Sequence, residues 1–159
     1  MKELQINLKF HSCTLEELPQ EDQELIAAAK EMTATSYSPY SRFQVGAAIR
    51  LQDGRIFRGS NQENAVFPVG LCAERVAFFA ASASSPGVPP VSIAIAAQTE
   101  GAFTARPVTP CGSCRQALLE AETRFHQPIR VLLYGTEGIY VIPSIQSLLP
   151  LTFDGSELA

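Results

Sequence analysis

The 159-residue chain is 46% hydrophobic and 18% charged, the balance of one globular domain spanning residues 1–159 and not of a disordered or fibrous chain. Its net charge of −4, with Lys and Arg scattered, argues against a polyanion such as nucleic acid as partner. No run approaches the ~18 apolar residues of a membrane span, and the opening MKELQINLKFHSC lacks the apolar stretch of a secretory leader. The expected location is therefore the cytoplasm, without a membrane contact. There Cys13, Cys72, Cys111 and Cys114 stay reduced and point to metal or catalysis before disulfides.

In chain order, residues 1–13 read as an extended N-terminal arm. The segment TLEELPQEDQELIAAAKEMTATSY predicts a helix with Leu25, Ile26, Ala29 and Met32 on one face and Pro19 at or just before its start. SPYSRFQ (38–44) is a loop. VGAAIRL and RIFRGSN flank Gln52-Asp53-Gly54, a strong hairpin signal. A helix follows over 72–83, then the short connector SASSPGVPP (82–90) and a buried strand, VSIAIAA (91–97). A second helix starts near Cys111 and runs through RQALLEAETRF. IRVLLY (129–134) and IYVI (139–142) are strands about a Gly135/Gly138 turn, and SIQSLL (144–149) is a short helix. The pattern predicts an α/β fold, a three-layer α/β/α sandwich whose mixed central sheet has about five strands.

Two motifs carry chemistry. PCGSC spaces Cys111 and Cys114 so that both thiolates can reach one zinc at ~2.3 Å from a first helical turn, although the same spacing also serves redox dithiols. Cys72 is a natural third ligand, since it too precedes a helix, where free N–H groups and the macrodipole stabilise a thiolate. Cys13, His11 and His126 are candidates for a fourth ligand, but none has a spacing relation to the other cysteines. Cys13 otherwise reads as a small, partly buried apolar residue and His126 as a surface residue at a helix end. Three protein ligands leave the open position that a catalytic zinc requires. Arg75, one turn into the helix, could donate to the sulfurs and offset the negative charge of three thiolates on Zn²⁺. Glu74, otherwise only a favourable partner for the helix dipole, could beside such a metal move protons between water and a substrate nitrogen.

CAE (72–74) followed by PCGSC (110–114) resembles the signature of the zinc-dependent nucleoside and base deaminases. SPYSRFQVGAA, NQENAVFPVGLCAER, PCGSCRQ and LLPLTF, in register from about residue 20 to 155, together resemble the small homotetrameric cytidine deaminases. The resemblance implies one Zn²⁺ per subunit on Cys72, Cys111 and Cys114, with Glu74 as catalytic proton shuttle. It implies that Asn61 and Glu63 hold the sugar hydroxyls, that Phe43 packs on the pyrimidine and that the Ala73 backbone reads the base edge. Phe153 corresponds to an aromatic that caps a pocket across a subunit boundary, and Tyr40 to a residue lining an adjacent pocket. Phe67 stands where many members have tyrosine, and the residues before about 14 have no counterpart.

The implied reaction is hydrolytic deamination of cytidine and 2′-deoxycytidine to the corresponding uridines with release of ammonia, in pyrimidine salvage, by a homotetramer with sites at subunit contacts. A blasticidin-S-type substrate is an alternative that CAE and PCGSCRQ also fit, but NQEN favours an ordinary nucleoside. A structural zinc module closed by His126 or Cys13 would leave Glu74 and NQEN unexplained.

Overall fold

The computed structural model describes residues 1–158. In chain order the regular elements are β1 (His11–Cys13), α1 (Gln20–Met32), β2 (Phe43–Leu51), β3 (Ile56–Ser60), α2 (Ala73–Ser84), β4 (Pro90–Thr99), β5 (Ala102–Phe103), α3 (Gly112–Phe125), β6 (Arg130–Gly135) and β7 (Gly138–Ile142). Pro19 is the N-cap of α1, as Pro before a first turn predicts. Gly54, with φ at +87°, makes the turn that joins β2 to β3. The expected short helix near residue 145 is a single 3₁₀ stretch, Ile145–Leu148.

The sheet has seven strands where about five were expected. Its order is β1-β7-β6-β4-β2-β3, with β5 paired to β4. The five strands read from the sequence are all present. The other two are edge pieces of three and two residues, too short for a period of two to register. One of them, β1, lies inside the segment expected to be an extended arm and pairs antiparallel with β7, Ser12 opposite Tyr140. The β4–β6 pair is parallel and the other pairs are antiparallel, so the sheet is mixed.

Alternation along the central strands sets the three layers, because successive side chains of a strand point to opposite faces. Ile49, Ile93, Ile95, Val131 and Leu133 join the core beneath α2 and α3. Ala48, Ala94, Ala96 and Leu132 join the core beneath α1, with Leu25, Ile26 and Ala29. Alanines on that face let α1 approach closely, and Gly46 goes further, since a Cβ there would stand 2.0 Å from the Ala29 carbonyl. On the other face Gly59 of β3 does the same for α2. A Cβ at Gly59 would stand 2.5 Å from the Ala77 nitrogen and 2.6 Å from the Ala73 oxygen. The first turns of α2 are thereby pressed onto the sheet.

Candidate active site

Helices α2 and α3 share one face of the sheet, and their N-termini bring three sulfurs together. Cys72 is the N-cap of α2 in extended backbone and Cys111 is the N-cap of α3, also extended. Neither helix start has a side-chain cap, so the thiols stand where free N–H groups stabilise negative charge. Cys114 follows in the first turn of α3 and is buried. Cys72 and Cys111 Sγ atoms are 3.8 Å apart, and those of Cys111 and Cys114 3.5 Å. Two thiolates on a tetrahedral zinc at ~2.3 Å lie ~3.8 Å apart. The three sulfurs, all within 4.8 Å of one another, therefore fit one ion with little rearrangement. Among the described residues this group contains only those three. His126 caps the opposite end of α3 in left-handed backbone, and His11 and Cys13 lie on β1 at the sheet edge.

The sulfurs are unequal. The Cys72 thiol is pulled down to about 5, chiefly by a hydrogen bond from the Cys114 thiol, with Arg75 and Cys111 adding to it. Cys114 is pushed up by the same bond, and burial adds to the push. The Arg75 guanidinium reaches the group, its Nη2 standing 3.9 Å from Cys72 Sγ. Burial opposes the Arg75 charge, but the Cys72 and Cys114 sulfurs outweigh that and favour it. Its Nε is buried without a partner. Glu74, in the first turn of α2, is only 4% exposed. Burial pushes its carboxyl up to about 7, and the Cys72 charge adds to the rise. A carboxyl with that value is half-charged near neutrality, the condition that favours both accepting and donating a proton.

A cavity of about 580 Å³ opens beside Cys72 and Arg75. Tyr40, Asn61, Glu63 and Phe67 line it further out. The strand-like pinch between Gln62 and Leu71, with N–H to O distances of 2.9 and 3.0 Å in both directions, holds this wall against the start of α2. Glu63 accepts from the Tyr40 and Ser41 N–H groups at 2.9 and 3.2 Å through one oxygen, leaving its other oxygen outside those bonds. The Ser41 hydroxyl and these two N–H groups hold its carboxyl below the usual range. Asn61 is heavily engaged within the protein. Its oxygen accepts from Val45 N–H at 2.8 Å and from the Ser36 hydroxyl at 2.5 Å, while its amide nitrogen donates to the Phe43 carbonyl at 2.9 Å. One amide N–H of Asn61 remains for a ligand.

Of the residues expected at the site, Tyr40, Asn61, Glu63, Cys72 and Arg75 meet around this cavity. Phe43 opens β2, half-buried, and contributes its carbonyl to Asn61. Ala73 is fully buried behind Cys72. Phe153 is 61% exposed, and its carbonyl accepts from Gln116 on α3. Phe67 lies in the cavity wall with its ring 5.8 Å from that of Tyr40, edge to face. Arg115 escaped notice in the sequence although it directly follows Cys114. Its guanidinium donates to the Pro110 and Leu148 carbonyls at 2.8 and 2.7 Å, tying the cysteine turn to the C-terminal segment.

An α/β/α sandwich with three cysteines at two helix starts and a buried glutamate beside them defines the class of zinc-centred deaminase domains. Residues 19–126 match the family model of the cytidine and deoxycytidylate deaminase zinc-binding region, and the chain belongs to that family. A cytidine deaminase of Sporosarcina psychrophila is 38% identical over 138 residues, covering 86% of this chain and 94% of that protein. One from Halalkalibacterium halodurans is 40% identical over 139 residues, covering 86% and 96%. The crystal structure of cytidine deaminase from Burkholderia pseudomallei superposes with a TM-score of 0.69 at 39% identity, covering 82% of this chain and 97% of that one. Cys72, Cys111 and Cys114 form the group that can bind the one metal ion of the zinc-binding region.

Proposed function

We propose that the protein deaminates cytidine and 2′-deoxycytidine by hydrolysis, giving the uridine nucleosides and ammonia. The observation that carries this reading is buried Glu74 beside sulfurs spaced for one zinc, one of which, Cys72, borders a cavity that reaches Asn61 and Glu63. Zinc, when bound by Cys72, Cys111 and Cys114, supplies a Lewis acid that brings the pKa of a water into the neutral range. Glu74 takes a proton from the attacking water as the water oxygen bonds to C4 of the pyrimidine, and passes that proton to N3. The same carboxyl then takes the proton of the hydroxyl now on C4 and hands it to the exocyclic nitrogen, so that the C4–N bond breaks, ammonia leaves and the C4 carbonyl forms. Arg75 holds the Cys72 sulfur in its charged form and lowers the excess negative charge at the centre. Glu63, through the oxygen that the Tyr40 and Ser41 N–H groups leave open, and Asn61, through its remaining N–H, hold the sugar hydroxyls.

Phe43 and the Ala73 backbone are assigned to the pyrimidine, and Phe153 and Tyr40 to the edge of a pocket completed by a neighbouring subunit. The exposure of Phe153, Tyr40 and Phe67 in the isolated chain supports a homotetramer with sites at subunit contacts. Salvage of pyrimidine nucleosides in the cytoplasm is the role that such an activity would serve. The test follows the ultraviolet absorbance change and ammonia release on adding cytidine to zinc-loaded protein. Both should vanish with a chelator and return with zinc. Zinc-loaded protein that releases no ammonia from either cytidine nucleoside refutes the proposal.

A further inference from the structure

Residues 4–10, LQINLKF, alternate apolar and polar without a break, the pattern of a strand with one apolar face. Yet residues 1–10 belong to no strand. The reason lies in β7. Its ladder with β1 sets His11 opposite Val141, so continuing it would put Lys9 opposite Pro143, which has no N–H to give. β7 indeed ends at Ile142. The arm therefore runs past the end of its neighbour, and Leu4, Ile6, Leu8 and Phe10 remain 81, 60, 46 and 45% exposed. These residues also lie outside the region 19–126 that carries the family match.

We propose that residues 2–10 pair antiparallel with the same residues of a second copy of this chain. A two-fold axis at Ile6 sets Ile6 opposite itself, Leu4 opposite Leu8, Gln5 opposite Asn7 and Glu3 opposite Lys9. Leu4, Ile6 and Leu8 then meet apolar residues, Phe10 meets the aliphatic stem of Lys2, and a carboxylate meets an ammonium at each end of the ribbon. A slip of one residue sets apolar against polar, while a slip of two keeps apolar residues together but separates Glu3 from Lys9, so the charge pair is what selects this register. Because even-numbered residues pair with even-numbered ones, both apolar stripes fall on one face of the two-stranded ribbon. Ile6, Asn7 and Leu8 border a groove of about 470 Å³ walled by the segment from Leu148 to Leu151, in which Leu151 is 93% exposed. The second copy's stripe has a surface to cover there. Anchoring of each arm by β1 and by the Phe10–Tyr140 ring contact, 5.1 Å between centroids, reduces the order that must be gained on pairing.

The charge pair supplies a test in the full-length protein. Glu3→Lys sets two lysines face to face at each end of the ribbon, and Lys9→Glu sets two glutamates. Each variant alone should halve the assembly mass seen by light scattering, while an equimolar mixture of the two, or the double variant, should restore it. Ile6→Lys should halve the mass with no rescue. The inference is overturned if both single variants keep the parental mass, or if both lose it and mixing does not restore it.

Discussion

Gly59→Ala tests whether the packing of α2 on β3 sets the geometry of the site. A Cβ at Gly59 would stand 2.5 Å from the Ala77 nitrogen and 2.6 Å from the Ala73 oxygen, both backbone atoms that cannot rotate away. Ordinary contact requires the first turns of α2 to lift by about 1 Å, in an interior packed too densely to absorb it without strain. Ala73 lies between Cys72 and Glu74, so the lift is felt at both. The Cys72–Cys111 separation of 3.8 Å would open beyond the span of one zinc, and the Glu74 carboxyl would move with it. Overpacking of this kind costs about 1–3 kcal/mol in stability, and each kcal/mol lowers Tm by about 2–4 °C in a chain of this size. A misplacement of that size at the reacting groups costs about 10²-fold in turnover. Zinc per subunit, Tm and kcat on cytidine are measured on the variant beside Gly87→Ala, whose added Cβ meets no atom within 4 Å. Parental zinc content and turnover in Gly59→Ala would refute the claim that this contact sets the site.

Glu74→Gln should retain zinc and lose about 10²–10⁴-fold or more in turnover, the scale of a lost acid/base group; near-normal steady-state rates would remove Glu74 from the proton path. Arg75→Ala should bind zinc more weakly in a chelator competition, because Cys72 loses a charged partner 3.9 Å away, and unchanged zinc retention together with unchanged turnover would dismiss its charge-balancing role. Cys114 is held protonated and Cys72, at about 5, is a thiolate near neutrality, so zinc uptake by metal-stripped protein should expel at least the Cys114 proton and weaken as pH falls through about 5. Weakly buffered indicator titrations read that release, and none at pH 7 contradicts the shared-proton arrangement. Glu122 accepts from the Ile129 and Ile145 N–H groups at 2.6 and 2.8 Å and from the Ser144 hydroxyl. Glu122→Ala strands those buried donors and should cost about 2–5 kcal/mol in urea unfolding, with a change below ~0.5 kcal/mol counting against it.

The zinc-type ligand set was legible because its information is local. Cys72 and Cys111 each precede a helix whose start the sequence marks, and Cys114 is one turn further on. Glu74 and Arg75 were legible for the same reason. The sandwich was legible because strands buried on both faces alternate isoleucine with alanine, as in Ile93, Ala94, Ile95 and Ala96. What stayed hidden depends on pairing between distant segments. β1 is three residues that become a strand only because Ile139, Tyr140 and Val141 lie opposite. The sugar-binding reading of Asn61 rested on its neighbours in NQEN, whereas its amide is largely consumed by Ser36, Phe43 and Val45, residues that no local pattern connects to it.

That engagement changes what Asn61 can contribute. A side chain with three fixed internal bonds cannot rotate to follow a ligand without breaking them, so Asn61 acts as a brace between β2, the turn after α1 and the cavity wall. It offers a ligand a single N–H in a fixed direction. Glu63, bonded through one oxygen to the Tyr40 and Ser41 N–H groups, is fixed in the same way and offers its second oxygen. A donor and an acceptor held rigidly on one wall suit a ligand with paired hydroxyls, each of which can accept from one and donate to the other. The glycine that seats α2, the pinch between Gln62 and Leu71 and the Arg115 clamp on the cysteine turn play the equivalent part at the sulfur end. Under the proposed function, rigidity at the Asn61–Glu63 wall and at the sulfurs would fix the distance between the group that is recognised and the group that reacts, the condition for binding energy at a sugar to orient a base for chemistry.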